Sequence, residues 1–356
     1  MVDLAEILRR HWPAYKKKFT TLPSQRRAVA AMLRCRTPAL GGQLYRCAQC
    51  GKDHCSYHSC NHRACPKCGH HDATEWIAKQ KTLLLPAPYF LVTFTVPAEL
   101  RATIRSHQKL CYDLLFRQSS QALQDIAGDP KHFGVQLGFL GVLQTWTRDL
   151  RYHPHIHYLV PGGGLSHDQL RWRQVPNPEF LLPQQVLAAR FRTRLKLALQ
   201  QKDPNLFLRI PRKVWSQKWV VDVLPVGRGE PVLKYLSAYI YKTAITAQRL
   251  VACDDATVTF RYRDSTSGQW KLCQLTAERF LHRFLQHILP SGLQRVRYFG
   301  WLAPAATKRR QRIFALLDWK APPFVPPLPL SPPSCPLCKK PMTKIGTLPR
   351  APPCRP

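Results

Sequence analysis

Residues 89–96, YFLVTFTV, form an unbroken apolar and β-branched run, the pattern of a buried strand. Helical periodicity follows over 98–118. Two more apolar runs, roughly 135–147 and 152–160, flank the polar stretch Arg148–Arg151 and predict a hairpin. On its second strand His153, His155 and His157 alternate, so all three project from one face. A turn centred on Asp149–Leu150 would set Gln144 opposite His155, and a one-residue slip would undo that pairing. Farther on, 257–262 and 269–275 read as a strand pair around a Ser265–Gly268 turn, and 276–289 as a helix ended by Pro290. Near the N-terminus, Leu4, Ile7, Leu8 and His11 repeat at helical spacing, as does the segment from Ala28 to Leu33 after Pro23. Residues 230–250, EPVLKYLSAYIYKTAITAQRL, are also helix-compatible. There Tyr235 and Tyr239 share one face, continued by Lys242. Such a stripe by itself reads as core packing.

Composition adds a partner class. The chain has 356 residues and 45% hydrophobic content, enough for a real core and two or three domains. Its 54 Lys and Arg against 20 Asp and Glu leave a formal charge of +34. That excess repels itself unless a polyanion is present, and nucleic acid is the expected partner, with an anionic membrane surface or the ribosome as the alternatives. No stretch approaches the roughly 18 apolar residues of a membrane span, and the first residues, MVDLAEILRRHW, lack the pattern of a secretory signal. A soluble, cytoplasmic protein is expected.

In that setting the thirteen cysteines should be reduced, so clustered ones read as metal ligands. Cys47-x-x-Cys50 and Cys65-x-x-Cys68 have the spacing of a tetrahedral thiolate zinc site. Between them Cys55, His58, Cys60 and His62 either complete a second zinc site or are buried and solvent-facing bystanders. Residues 321–356 hold 13 prolines and predict a flexible or polyproline tail. Its Cys335-x-x-Cys338 resembles half a zinc ribbon that lacks partners.

The alternating histidines could be a solvent-facing ladder, but two imidazoles at i and i+2 on a rigid strand can also chelate one divalent ion. A phenol nearby could then attack a polarised phosphate. In combination the chain resembles the HUH-type transposases, and within them the insertion-sequence-ninety-one family. The resemblance rests on YRCAQCG, YHSCNHRACPKCG, HPHIHYLVPGGG, KYLSAYIYKTAIT and FLHRFLQHILPSGLQRVRYFGWLA in that order. It implies an α+β fold with a central antiparallel sheet flanked by helices, the histidines on a central strand and the tyrosines on a packed helix, plus an N-terminal Cys/His zinc-binding domain. His155 and His157 match the paired ligands for Mg²⁺ or Mn²⁺, and Gln144 stands where that family often has histidine. Tyr235 and Tyr239 match its two nucleophiles, beside Lys242. The implied reaction is single-strand DNA cleavage and rejoining through a 5′-phosphotyrosine, driving rolling-circle transposition of an insertion sequence.

The expected partners are therefore single-stranded DNA at the element's ends, target DNA and the host replication machinery, in a nucleoid-associated bacterial protein. Arg63 and Lys67 in the cysteine-rich segment, Arg212, Lys213 and Lys218 among tryptophans 215 and 219, and Arg309 and Arg310 within KRRQR are candidate phosphate contacts. The tryptophans either stack bases or pack in the core. The expected division is 1–85 for zinc and DNA binding, 86–320 for catalysis, and 321–356 as tail. Two alternatives stay open: a replication initiator or relaxase of the same chemistry, and a non-catalytic zinc-dependent regulator.

Overall fold

A computed structural model describes residues 2–68, 70–229, 231, 233, 243–328 and 331–351. Helices α1 (Leu4–Lys18) and α2 (Pro23–Arg34) open the chain. Asp3 caps α1, accepting from the amides of Ala5 and Glu6, and Lys16–Lys18 occupy the opposite, negative end of the helix dipole. The hairpin β1 (Gly42–Arg46) and β2 (Asp53–Tyr57) and helix α3 (His70–Lys81) follow.

Next come β3 (Tyr89–Thr95), α4 (Leu100–Ser106), α5 (Gln108–Gly128), β4 (Gly138–Trp146), β5 (Tyr152–Pro161) and the small pair β6 (Gly163–Leu165) and β7 (Trp172–Gln174). Then α6 (Gln184–Lys202), α7 (Pro204–Leu208), α8 (Lys213–Ser216) and β8 (Val221–Gly227) complete this region. The last elements are β9 (Leu250–Cys253), β10 (Thr257–Arg263), β11 (Trp270–Thr276), α9 (Ala277–Leu285), β12 (Val296–Gly300), α10 (Thr307–Leu316) and β13 (Thr343–Leu348).

The central sheet is antiparallel, in the order β12-β4-β5-β3-β8, so the histidine strand β5 lies in its middle. The α+β architecture is the one expected. Alternate residues divide between its two faces. Phe90, Val92, Phe94, Phe139, Leu143, Ile156, Tyr158 and Val160 bury one face against α4, α5 and α6. Tyr158 is fully enclosed there, its hydroxyl 2.7 Å from Ser119 Oγ. The opposite face carries Tyr89, Leu140, Val142 and Leu159 and receives Leu233.

Of the three glycines after β5, Gly163 and Gly164 open β6. A Cβ at Gly163 would meet the Trp172 indole at 2.3 Å and one at Gly164 the Gln136 carbonyl at 2.7 Å, so close packing selects glycine. The first 85 residues do not stand apart as a body. Leu4, Ile7 and Leu8 of α1 share a core with Phe260 of β10 and Phe280, Leu281 and Phe284 of α9. The proline-rich end is not a loose tail either: β13 adds to β1, from Gly42 opposite Leu348 to Arg46 opposite Thr343, because its last prolines fall outside the strand.

Candidate active site and cysteine clusters

Strand β5 positions His155 and His157 on the face opposite α5, and both are only 7% exposed. Their rings lie 4.7 Å apart, centroid to centroid, at 85°. The β4–β5 register places Gln144 opposite His155, as the symmetry of the hairpin predicts, with an irregularity just before Trp146. The turn itself runs from Thr147 to Arg151, closed by the Thr147 amide donating to the Arg151 carbonyl at 3.0 Å.

Second partners fix the imidazoles. His155 Nδ1 lies 2.6 Å from the His153 carbonyl, which can only accept, so Nδ1 carries the proton and Nε2 keeps its lone pair. His157 Nδ1 is 2.9 Å from Thr93 Oγ1 on the neighbouring strand. Gln144 donates through Nε2 to the Trp146 carbonyl at 3.1 Å, while its buried Oε1 has no hydrogen-bond partner. Burial pushes His155 down to about 4 and His157 to about 2, so both are neutral at physiological pH. His153, pushed down to about 4 by burial and then by Arg101 and Arg151, lies 5.0 Å from His155, centroid to centroid, with the rings tilted by 41°. Two neutral imidazoles on one face of a strand, with an amide oxygen at the register position opposite His155, are a donor set that suits a divalent ion.

A cavity of about 330 Å³ adjoins His153, His155 and Gln144, bordered by Arg148, Arg151 and Arg263 and by Asp149 and Asp264, with Arg151 paired to Asp149 at 2.7 Å. Three arginines against two carboxylates leave the wall a cationic excess that suits a phosphodiester backbone. Tyr235, Tyr239 and Lys242 lie outside the described residues. The chain on either side is anchored: Leu233 packs beside Val142 and Leu159 on the histidine face, while Ala244 and Ile245 pack with Trp146 and Leu150 beyond Gln144.

The cysteines sort differently from their order in the chain. Cys47 and Cys50 do not join Cys65 and Cys68. One group gathers Cys35, Cys60, Cys65 and Cys68, and the other Cys47, Cys50, Cys335 and Cys338, each with all sulfurs within 4.8 Å. In the first group, Cys35–Cys68 is 3.5 Å, Cys60–Cys68 3.7 Å and Cys35–Cys65 3.7 Å. A tetrahedron with Zn–S near 2.3 Å has edges of about 3.8 Å, so this donor set fits structural zinc. Hydrogen bonding from Cys65 pushes Cys60 down to about 5, favouring a thiolate there.

Cys35 ends α2, 25 residues before Cys60, and no local hook marks it; its one sequence signal is burial at a helix end. Cys55, His58 and His62 stand outside both groups, with Cys55 and His58 exposed. Cys55 sits on β2 opposite Leu44, and the strand turns its side chain to solvent.

Several expected phosphate ligands are occupied. Arg63 donates to the carbonyls of Leu289, Pro290 and Leu293, Lys67 pairs with Asp3 at 2.7 Å, and Arg310 donates to the carbonyls of Trp301 and Ala303. Arg212, Lys213, Lys218 and Arg309 are exposed. Trp219 is buried, stacks on Trp215 at 5.8 Å and donates to the Val214 carbonyl, so these indoles serve the core. No helix among the described residues is long and apolar enough to cross a membrane.

Residues 138–311 match a family model described as "Putative transposase", and residues 7–96 match one described as "Transposase zinc-binding domain". The chain is 38% identical over 320 residues to "Putative transposase y4qJ" of Sinorhizobium fredii, spanning 84% of this chain and 80% of that protein. It is 29% identical over 292 residues to the "Transposase for insertion sequence element IS801" of Pseudomonas savastanoi pv. phaseolicola, spanning 77% of this chain and 69% of the relative. No solved structure matches it.

Proposed function

The chain belongs to the insertion-sequence-ninety-one family of transposases, DNA-processing enzymes with an N-terminal zinc-binding domain, and from that membership we propose that it cuts and rejoins one DNA strand through a 5′-phosphotyrosine. The observation that carries this reading is the buried, neutral pair His155 and His157 on the central strand, each Nδ1 already engaged, with Gln144 opposite His155 in the neighbouring strand.

His155, His157 and Gln144 would hold Mg²⁺ or Mn²⁺, which when bound polarises the scissile phosphate and neutralises charge on its oxygens. The phenol oxygen of Tyr235 or Tyr239 attacks phosphorus and the bond to the 3′-oxygen breaks. The phenolic proton leaves and the departing 3′-oxygen is protonated, giving a free 3′-hydroxyl. Because the phosphotyrosine conserves the bond, attack by a 3′-hydroxyl rejoins a strand and regenerates the phenol. With two phenols one can retain the first strand while the other receives a second. Lys242, seven residues beyond Tyr235, would offset charge on the phosphate. The anchoring of Leu233 and Ala244–Ile245 on either side of the histidine face supports this assignment. DNA at the element's ends and at the target, and the host replication machinery that extends the free hydroxyl, are the corresponding partners in a nucleoid-associated protein of the cytoplasm.

The test is a 3′-labelled single-stranded oligonucleotide spanning an element end, because the 5′-phosphotyrosine retains the fragment downstream of the cut. A Mg²⁺- or Mn²⁺-dependent covalent protein–DNA adduct is expected, mapped by mass spectrometry to Tyr235 or Tyr239. It should disappear in Tyr235→Phe plus Tyr239→Phe and in His155→Ala plus His157→Ala. Absence of any adduct across many end sequences, or its survival in the double phenylalanine variant, refutes the mechanism.

A further inference from the structure

The cysteines of the C-terminal segment answer to nothing in the cleavage chemistry. Cys335 and Cys338 lie beyond both regions matched to family models, yet their sulfurs meet those of Cys47 and Cys50. Cys47–Cys338 is 3.4 Å, Cys50–Cys335 3.5 Å and Cys50–Cys338 3.9 Å. These distances bracket the ~3.8 Å edge of a zinc tetrathiolate and are far too long for a disulfide near 2 Å.

The two hooks also share one backbone circuit, although nearly 300 residues separate them. The Cys47 amide donates to the Lys52 carbonyl at 2.9 Å, and the Cys335 amide to the Lys340 carbonyl at 2.8 Å. The Gly51 amide returns to the Cys47 carbonyl at 2.9 Å, and the Lys339 amide to the Cys335 carbonyl at 3.0 Å. In both hooks the fifth residue is left-handed, Gly51 at φ 66° and Lys339 at φ 62°. Glycine adopts that conformation freely, but a lysine pays for it, so something outside the local sequence must hold the tail hook in shape. Each hook in fact presents its two sulfurs to the other's.

What surrounds the cluster is too small to fold by hydrophobic burial alone. Its core is Cys47, Cys335 and Met342, with Tyr45 and Cys338 partly buried against them. Three strands of five or six residues, β13-β1-β2, complete the unit. Ribbons of this size need a metal or another crosslink.

We propose that Cys47, Cys50, Cys335 and Cys338 hold a second structural zinc ion, distinct from that of the Cys35 group, which fastens the C-terminal segment to the N-terminal hairpin. The zinc-binding unit is thereby assembled from both ends of the chain. Between Trp319 and the ribbon, Pro322, Pro323, Val325 and Pro326 line one cavity with Ile77 of α3 and Leu84, and Trp319 Nε1 donates to the Leu84 carbonyl at 2.9 Å. Closing the ribbon therefore straps the segment that joins the zinc-binding region to the catalytic sheet, and fixes where that region sits.

The full-length chain, purified with zinc and without chelator, should contain two zinc ions per molecule by native mass spectrometry. Cys335→Ser plus Cys338→Ser should retain one, and its C-terminal segment should become cleavable by protease beyond Trp319. Cys35→Ser should also retain one, with that segment still protected. Thiol alkylation of the unaltered chain reads the same contacts without relying on any variant to fold. Cys335 and Cys338 should resist modification until zinc is chelated, while exposed Cys55 reacts throughout. A single zinc in the unaltered chain, two in the Cys335/Cys338 variant, or modification of Cys335 as fast as of Cys55 in the zinc-loaded chain overturns the proposal.

Discussion

Thr93→Val should weaken divalent-ion binding at the histidine pair without disturbing the sheet that carries it. Thr93 faces His157 across β3 and β5, and its hydroxyl lies 2.9 Å from His157 Nδ1. Valine keeps the branched shape and the strand preference, so the loss is confined to one neutral hydrogen bond. Such a bond is worth about 1 kcal/mol net. Its loss also frees the ring to rotate, and partners of this kind typically contribute at least tenfold in metal affinity. A roughly tenfold rise in the Mn²⁺ dissociation constant is expected, read by calorimetry or by paramagnetic relaxation, with a stability loss of about 1 kcal/mol. Thr95→Val is the control. Thr95 stands opposite His155, but its hydroxyl donates to the Val220 carbonyl at 2.9 Å and the imidazole is held instead by the His153 carbonyl. This variant should lose similar stability and keep its Mn²⁺ affinity. Equal affinities for Thr93→Val and the parent, or equal losses in the two variants, would refute the claim that Thr93 orients a metal ligand.

Acid should destabilise the fold through its buried imidazoles. His287 is fully buried, pushed down to about 4 by burial, and held neutral between Thr145 Oγ1 and the Leu150 carbonyl. Between its ordinary value near 6.5 and about 4 the unfolded chain binds the extra proton, so this contribution is complete above pH 6.5 and falls as pH drops, by about 3 kcal/mol at most. Thermal melts of the parent and His287→Gln across pH 4 to 7 should show a shallower slope in the variant, and identical slopes would count against it. Arg212→Ala plus Lys213→Ala plus Lys218→Ala should flatten the log–log salt dependence of single-strand binding by up to about 2, since each lost phosphate contact removes roughly 0.7. Arg63→Ala should leave that slope unchanged but cost about 2 kcal/mol in denaturant melts, because it braces the Leu289–Leu293 segment.

Three of the five strands of the central sheet, β3, β4 and β5, and the helical stretch after β3 were legible because they are strongly patterned, whereas β8 and β12, half exposed and without a clean alternation, were not. Alternation in HPHIHYLVP locates the histidines, and the symmetry of the hairpin alone pairs Gln144 with His155. Local spacing failed where the fold joins distant segments. Cys47 and Cys50 lie closer in sequence to Cys65 than to any other hook, yet β1 carries them to β13 and the tail. Meanwhile α2 delivers Cys35 to Cys60, Cys65 and Cys68. Proline content misled for a related reason. It correctly denies regular structure to 321–328, but the strand after Cys338 draws its stability from β1, which no local composition reports. The tryptophans at 215 and 219 follow the same rule: flanking charges suggest a nucleic-acid surface, whereas burial against Phe191 and Phe207 decides their role.

The net charge of +34 also divides into two kinds of cation once the donors are traced. Arg249 donates to the carbonyls of Ala244, Arg261 and Arg148, and Arg295, half-buried with its guanidinium over the Trp146 ring, donates to that of Leu143. With Arg63 and Arg310 they satisfy backbone carbonyls in loops and along strands β4 and β10. A guanidinium so engaged still adds to the long-range field that draws DNA in, but its donors are not available to displace counterions from a phosphate. Attraction should therefore scale with the whole charge, and the salt slope with the smaller set of cations on the surface. The histidine pair belongs to neither set. Its neutrality, enforced by burial, leaves lone pairs where a phosphate-bound ion would sit and keeps the centre of a strongly positive molecule from repelling that ion.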